Sequence, residues 1–328
     1  MTVASTPAPH WGQSIINRLG LSGRRARRKF FWGLIFVSPW IVGFIAFTAF
    51  PMVSSFYYSL TNYTVLQNVT KFLGAHNYTH MLQDHFFWTA LYNTAYLALF
   101  FVPLNIFIGI GIALLLNAKI HGQAVFRTLA YLPTIVPAVA SAILWIWLLN
   151  PLYGVINGLL GAIGISGPGW LASPTWSKPA YVMMSLWQSL GNTMLIFLAG
   201  LQGVPVHLIE SAKLDGAGPV LRFRHVTLPM ISPMIFFNTV LGIISSFIYF
   251  TQAYVITSSA GIHGSDQLGA PLNSALFYVL YIYQVGFNFG DMGYASGLAW
   301  VLFVVIMLLT VILTRSSGKW VYYESAGR

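Results

Sequence analysis

The sequence predicts an all-α, polytopic membrane protein with six transmembrane helices and one helical loop at the membrane surface. Three observations carry this fold class. Of 328 residues, 57% are hydrophobic and only 7% charged. A soluble domain carries about 25% charged residues, so this chain cannot cover a water-facing surface. Six apolar runs each exceed the about 20 residues a helix needs to cross roughly 30 Å of hydrocarbon. Finally, the basic residues sort to alternate connections between those runs. A membrane barrel is excluded as the spanning element, because it would show short alternating strands.

The elements follow in chain order. Residues 1–29 form a polar, basic arm ending in Arg24, Arg25, Arg27, Arg28 and Lys29. The apolar run behind it is too long for a signal peptide and has no small-residue cleavage site. Within the arm, Trp11, Ile15, Ile16 and Leu19 allow one amphipathic turn or a disordered segment. The six expected spans are about Phe31–Tyr57, Phe87–Leu116, Ala124–Leu149, Pro179–Leu201, Met230–Ile256 and Met292–Thr314. Only Arg127 places a charge inside any of them. Several exceed the minimum length, so tilt is expected. The connections Ser59–Phe86, Asn150–Lys178 and Thr257–Asp291 are rich in Gly, Pro, Asn and aromatic residues, which suits short surface helices. With the N-terminus in the cytosol, 14 of the 16 Lys and Arg residues lie inside and only Lys71 and Lys178 lie outside. The net charge of +10 is therefore topological rather than a nucleic-acid footprint. The expected domain organisation is an arm at 1–29, a membrane domain at 30–315 with its polar loop at 204–229, and a cytosolic tail at 316–328. With no cysteine, disulfides and thiolate metal sites are excluded.

The loop Glu210–Pro229 is the most polar stretch of the second half, with Glu210, Lys213, Asp215, Arg222 and Arg224 close together. Pro205 suits a first helical turn. Val206, Leu208, Ile209 and Ala212 offer an apolar stripe at helical spacing. Gly216 and Gly218 end that helix, since glycine accepts the left-handed conformation a helix stop needs. Pro219 opens a second short helix, and Pro229 marks the return to apolar sequence. The result is a compact helix-turn-helix held at the membrane surface.

These residues resemble the EAA loop of the membrane subunits of binding-protein-dependent ABC importers. Glu210-Ser211-Ala212 is followed after three residues by Gly216, and after nine more by Val226-Thr227-Leu228-Pro229. Ser211 and Val226 replace the family's alanine and isoleucine, both small changes of shape. The resemblance extends over most of the chain. SPWIVGFIAFTAFPMVSSFYYSLTNY is similar to the first span of the carbohydrate group, and LPTIVPAVASAILWIWLLNPLYGVIN to its third span and following loop. LAGLQGVP resembles the family's approach to the loop, and FGDMGYASGLAWVLF its last span. The basic arm, with Pro51, Ser59 and Asn62-Tyr63, favours the maltose/glycerol-phosphate first-permease type.

The resemblance implies a type I importer permease. It implies a second homologous permease, two ATPase subunits, an extracytoplasmic solute-binding protein and a sugar substrate as partners, in a bacterial inner membrane. It implies no cofactor on this chain, with ATP and Mg²⁺ on the ATPase subunits. The expected ATPase-coupling residues are Glu210, Ser211, Ala212, Asp215, Gly216, Ala217, Leu228 and Pro229. Glu210 would be the charged contact and Gly216 the tight turn, while Leu228-Pro229 would join the loop to the fifth span.

Chemistry elsewhere is sparse. Paired carboxylates, a nucleophile elbow, a Walker motif and a dinucleotide fingerprint are all missing from the sequence. So is an intramembrane acid of the kind proton-driven transporters use. His76, His80, Asp84 and His85 lie close together, with His76 and His80 at a metal-ligand spacing on a helix. GAHNYTHMLQD nevertheless resembles a family stretch in which histidine is no motif element, so an interfacial helix is expected and no metal site. Three Asn-x-Thr sequons, at Asn62, Asn68 and Asn77, read as chance matches. Within the spans, neutral polar and aromatic residues cluster at Trp187, Gln188 and Asn192, and at Ser245, Tyr249 and Gln252. They either bond helices together or line a sugar path, since polar groups facing lipid are costly. Gln188 and Asn192 share a helix face, as do Ser245, Tyr249 and Gln252. By position they resemble the sugar-contacting region of the maltose-type subunit. Two rivals stand beside sugar import: the same superfamily importing glycerol phosphate or an acidic oligosaccharide, and an integral membrane enzyme.

Overall fold

Apolar length decides the elements of this chain, and one sharp bend, in the third span, redirects it. The computed structural model describes residues 24–65, 70–118, 121–259 and 268–322, without the side chains of residues 26 and 27. The basic arm before Arg24, Lys119 and the tail beyond Tyr322 lie outside the described residues. All regular elements among the described residues are helical, beside two isolated bridges, Thr61 to Phe72 and Thr64 to Asp291. Five described helices are long and apolar enough to cross a membrane: Arg28–Ser59, His85–Asn117, Pro174–Gln202, Ser232–Ser259 and Met292–Ser317. A bent pair, Gln123–Ile135 with Ala138–Leu148, makes a sixth if it counts as one span.

Contacts divide the chain after Tyr57. In the first unit, helix α1 (Arg24–Phe44) passes through a π turn at Ile45–Ala49 into α2 (Phe50–Ser59). The last residues of the expected arm are thus already helical. Phe36 and Phe47 are among its exposed apolar side chains, as a helix apolar all round requires of a membrane span.

The second unit begins with α3 (His76–Gln83), α4 (His85–Asn117), α5 (Gln123–Ile135), α6 (Ala138–Leu148) and α7 (Val155–Ala162). It continues with α8 (Pro174–Gln202), α9 (Val206–Leu214), α10 (Pro219–Arg222), α11 (Ser232–Phe247) and α12 (Thr251–Ser259). It closes with α13 (Tyr278–Tyr283) and α14 (Met292–Ser317). Helices α4 and α8 form the central pair. They close in at Gly109, where a Cβ would collide with Thr193. Asn105 Nδ2 donates to Thr193 Oγ1 at 2.9 Å, and Ser189 Oγ donates to Asn105 Oδ1 at 2.9 Å. Inside a membrane such interhelical bonds contribute about 0.6–2 kcal/mol each.

Two expected spans are not continuous. The third bends by 101° between α5 and α6. Pro137 has no N–H to continue the ladder, and it holds Val136 extended at φ −68°, ψ 126°. The fifth is interrupted at Ile248–Phe250, between α11 and α12. The helix through Ser245, Tyr249 and Gln252 is therefore not continuous, with Tyr249 in the break and Gln252 on the next helix, yet the three side chains still face one cavity. The fourth helix also starts earlier than expected, at Pro174, which brings Lys178 inside it.

Candidate functional site

The loop after α8 folds as a short hairpin of α9 and α10. α9 ends in a Schellman stop: Ala217 N donates to Ala212 O at 2.9 Å and Gly216 N to Lys213 O at 3.1 Å. Gly216 takes φ +77° with nothing around the position a Cβ would occupy. Inward, Ile209, Val226 and Leu228 pack against buried Leu201, Val204 and Ile231. This cluster joins the loop to α8 and to the fifth span. A π turn at Phe223–Thr227 and the segment Leu228–Met230 complete the join. Ser232 Oγ donates to Pro229 O at 2.6 Å and accepts from Tyr322 N at 2.9 Å, so the residues after α14 are tied to the same joint.

Outward, the hairpin is bare. Glu210, Ser211, Asp215 and Gly216 are exposed, while Ala212 and Ala217 are half-buried. Among the described residues Glu210 and Asp215 form neither an ion pair nor a side-chain hydrogen bond. The expected apolar stripe is only partly turned inward: Ile209 packs, whereas Val206 is 66% exposed. Leu214 is 89% exposed and Val220 76%. The hairpin thus presents apolar side chains and unpaired acids together.

Inside the bundle, α4, α8, α11 and α12 enclose a cavity of about 150 Å³. It is lined by Gln188, Ser245, Tyr249 and Gln252, together with Ser185 and Ser189, and with Leu97 and Phe101 from α4. Gln252 Nε2 donates to Gln188 Oε1 at 2.7 Å. Gln188 Nε2 donates in turn to Val136 O at 3.1 Å, the carbonyl at the bend of the third span. One side chain therefore links both broken spans at the cavity wall. Among the described residues the buried Tyr249 hydroxyl has no hydrogen-bond partner. Its neighbour Ser185 donates to Tyr181 O at 2.8 Å instead. Trp187 and Asn192 are not among the lining residues. Trp187 packs edge-on against Trp145, ring centroids 6.0 Å apart, and Asn192 is exposed. Ser185 and Ser189 were legible as polar neighbours of Gln188 on one helix face. Leu97 and Phe101 carry no polar signal.

At the opposite end of the bundle, Asp84 caps α4 by accepting from Phe86 N at 2.8 Å. Its second oxygen accepts from the hydroxyls of Tyr281 and Tyr294. Burial first, and then Asp84, push the Tyr281 phenol above its ordinary value. His80 stands edge-on to Tyr294 at 5.0 Å. Among the described residues no group of three or more His, Asp or Glu could hold a metal ion.

Known proteins resemble this chain in sequence and fold. The family model described as "Binding-protein-dependent transport system inner membrane component" matches residues 105–321. A probable ABC transporter permease protein, YesP, of Bacillus subtilis (strain 168) is 41% identical over 305 residues, covering 92% of this chain and 95% of that protein. The lactose transport system permease protein LacF of Rhizobium radiobacter is 34% identical, covering 85% and 92%. A chain in the crystal structure of a bacterial alginate ABC transporter, in complex with alginate pentasaccharide-bound periplasmic protein, aligns with a TM-score of 0.72 at 23% identity. It covers 90% of this chain and 96% of that one. Fold, loop and sequence agree: the chain is a multi-pass transport subunit and belongs to the family of binding-protein-dependent transport system inner membrane components.

Proposed function

We propose that the chain is the permease of an ATP-driven importer that takes up a sugar or oligosaccharide from an extracytoplasmic solute-binding protein. The observation that carries the solute class is the neutral cavity of Gln188, Ser189, Ser245, Tyr249 and Gln252. Amides and hydroxyls exchange hydrogen bonds with a polyol without desolvating a charge. Relatives named for lactose and for sulfoquinovosyl glycerol support the carbohydrate reading. At about 150 Å³ the cavity is smaller than the roughly 300–1,000 Å³ of a complete ligand site. A second homologous permease would supply the remainder.

The bare hairpin supports a docking role. Leu214, Val220 and Leu221 provide apolar area, and Glu210 provides a carboxylate for a basic group of an ATPase subunit. Leu228 and Pro229 then pass the motion to the fifth span. One ATPase subunit under each permease makes two, and these hold ATP and Mg²⁺, whose hydrolysis supplies the driving energy. The sorting of basic residues puts the hairpin and both termini in the cytosol of a bacterial inner membrane, with 30–315 as the membrane domain between a basic arm and a short tail.

The test is uptake by the complete reconstituted complex. Replacing Ser245 or Gln252 with alanine should impair uptake or change sugar preference while the complex still assembles, whereas the exposed Asn192 lies off the cavity wall and its alanine variant should not. Wild-type uptake of every accepted sugar by alanine variants of Gln188, Ser245, Tyr249 and Gln252 alike would leave these residues a structural role only.

A further inference from the structure

A second cavity, of about 420 Å³, opens on the seam between α4 and α8. Its lining includes His85, Trp88, Tyr92, Asn93, Lys178 and Asn273. It lies on the same helix faces as the inner cavity. Lys178 and Ser185 are seven residues apart on α8, hence on one face and roughly 10 Å apart along it. Between the two cavities stand the rings of Tyr181, Phe277 and Tyr249, each edge-on to the others at 5.1–6.0 Å.

Lys178 is placed unlike a surface lysine. A lysine at a membrane interface normally extends its ammonium outward to water and headgroups. Here Nζ turns inward and donates to Asn93 Oδ1 at 3.2 Å. Asn93 is buried, and its amide nitrogen is committed to Asn273 O at 2.8 Å and Leu276 O at 3.0 Å. Its acceptor oxygen is thereby aimed at the lysine. The ammonium also lies 4.8 Å from the Tyr92 ring centroid and 5.6 Å from that of Tyr96. An ammonium has three N–H donors, and a single acceptor is engaged. Among the described residues no carboxylate pairs with Lys178, and Asp84 is already occupied by Phe86 N, Tyr281 and Tyr294. A half-buried cation held in a cavity with no counter-ion among the described residues offers its charge to an anion.

We propose that this cavity is an outer subsite for an acidic sugar, with its carboxylate against Lys178 and its ring on Tyr92. The proposal rests on the sugar-import reading and on its orientation, which places the Pro174 end of α8 away from the ATPase. The aromatic trio then separates the two cavities, so that the carboxylate stays at Lys178 while hydroxyl-bearing parts of the same solute meet the neutral inner cavity.

The experiment uses the complete complex in nanodiscs, with its binding protein. The probes are a galacturonate trisaccharide and the matching neutral galactose trisaccharide. Amine acylation of Lys178 is followed by mass spectrometry, and uptake is measured in proteoliposomes. Protection of Lys178 by the galacturonate and not by the neutral sugar is expected. K178Q should lower the ratio of galacturonate to neutral uptake about 10-fold, as loss of a charge-assisted bond implies, and K178R should restore most of it. Equal protection by both sugars, or by neither, overturns the proposal. So does protection that follows anionic lipid content, or that needs only the sugar-free binding protein. If neither of these sugars stimulates ATP hydrolysis in the wild-type complex but another sugar does, the acidic-sugar proposal fails and the import reading stands; if no sugar does, the import reading itself fails.

Discussion

At the scale of single residues, Gly216 joins the plainest sequence signal to the plainest geometry. Its φ of +77° lies in the left-handed region and costs a residue with a Cβ about 1–2 kcal/mol. Nothing in this chain stands where a side chain would grow, so Gly216→Ala should cost only that backbone strain. Gly216→Asp adds bulk and charge to the docking face. The variant should insert in the membrane normally yet lose ATPase association, or uncouple hydrolysis from uptake. Glu210→Ala should act in the same direction more mildly, because removing one partner of an interface ion pair costs up to several kcal/mol. Co-purification of the ATPase, with uptake and sugar-stimulated hydrolysis, checks both. Full coupled transport by Gly216→Asp would remove the hairpin from the transmission path. The glycine was legible because a helix stop is written locally, in residues 212–217. The cavity wall was legible only by half. Gln188, Ser245, Tyr249 and Gln252 announce themselves as polar residues within apolar runs. Leu97 and Phe101 do not, since their role comes from which helix α8 meets.

At the scale of elements, the two broken spans separate what hydropathy reads from what it cannot. Hydropathy counts length and composition, and these fit six spans. Direction depends on hydrogen bonds, which it ignores. Pro133 and Pro137 stood in the sequence as a warning for the third span. The break at Ile248–Phe250 has neither proline nor glycine. It coincides with the packing of Tyr249 against Tyr181 and Phe277, a tertiary cause with no local mark. Gln188 holds both breaks, through Val136 O and Gln252, while Thr134 Oγ1 donates to Gln188 O at 3.1 Å. Gln188→Leu keeps the bulk but leaves the Val136 carbonyl and the Gln252 amide short of partners. Each lost bond in a half-buried site costs about 1–3 kcal/mol. The variant should therefore lower the thermal stability of the purified complex as well as its uptake. Unchanged melting with lost uptake would assign Gln188 to solute contact alone.

At the scale of the whole molecule, one chain is incomplete by its own physical chemistry. It offers a cavity too small for an oligosaccharide and a hairpin whose leucines face outward, and each feature calls for a partner. Which partner meets which feature depends on orientation. We propose an answer from the basic residues, because with a cytosolic N-terminus 14 of 16 fall on one side of the alternating connections. Such a bias sets the direction of insertion when the charges flank the spans closely, as Arg24, Arg25 and Arg28 do here. The two exceptions, Lys71 and Lys178, both sit at the end of the bundle opposite the hairpin. With no native cysteine, labelling has no background. A single cysteine at position 213 should resist an impermeant thiol reagent in intact cells and react once the membrane is opened. A single cysteine at position 71 should react in intact cells. Reaction at 213 in intact cells would turn the molecule over. The hairpin would then face the solute-binding protein rather than the ATPase, and Lys178 would face the cytosol. Every assignment of partner to surface made above would have to be exchanged.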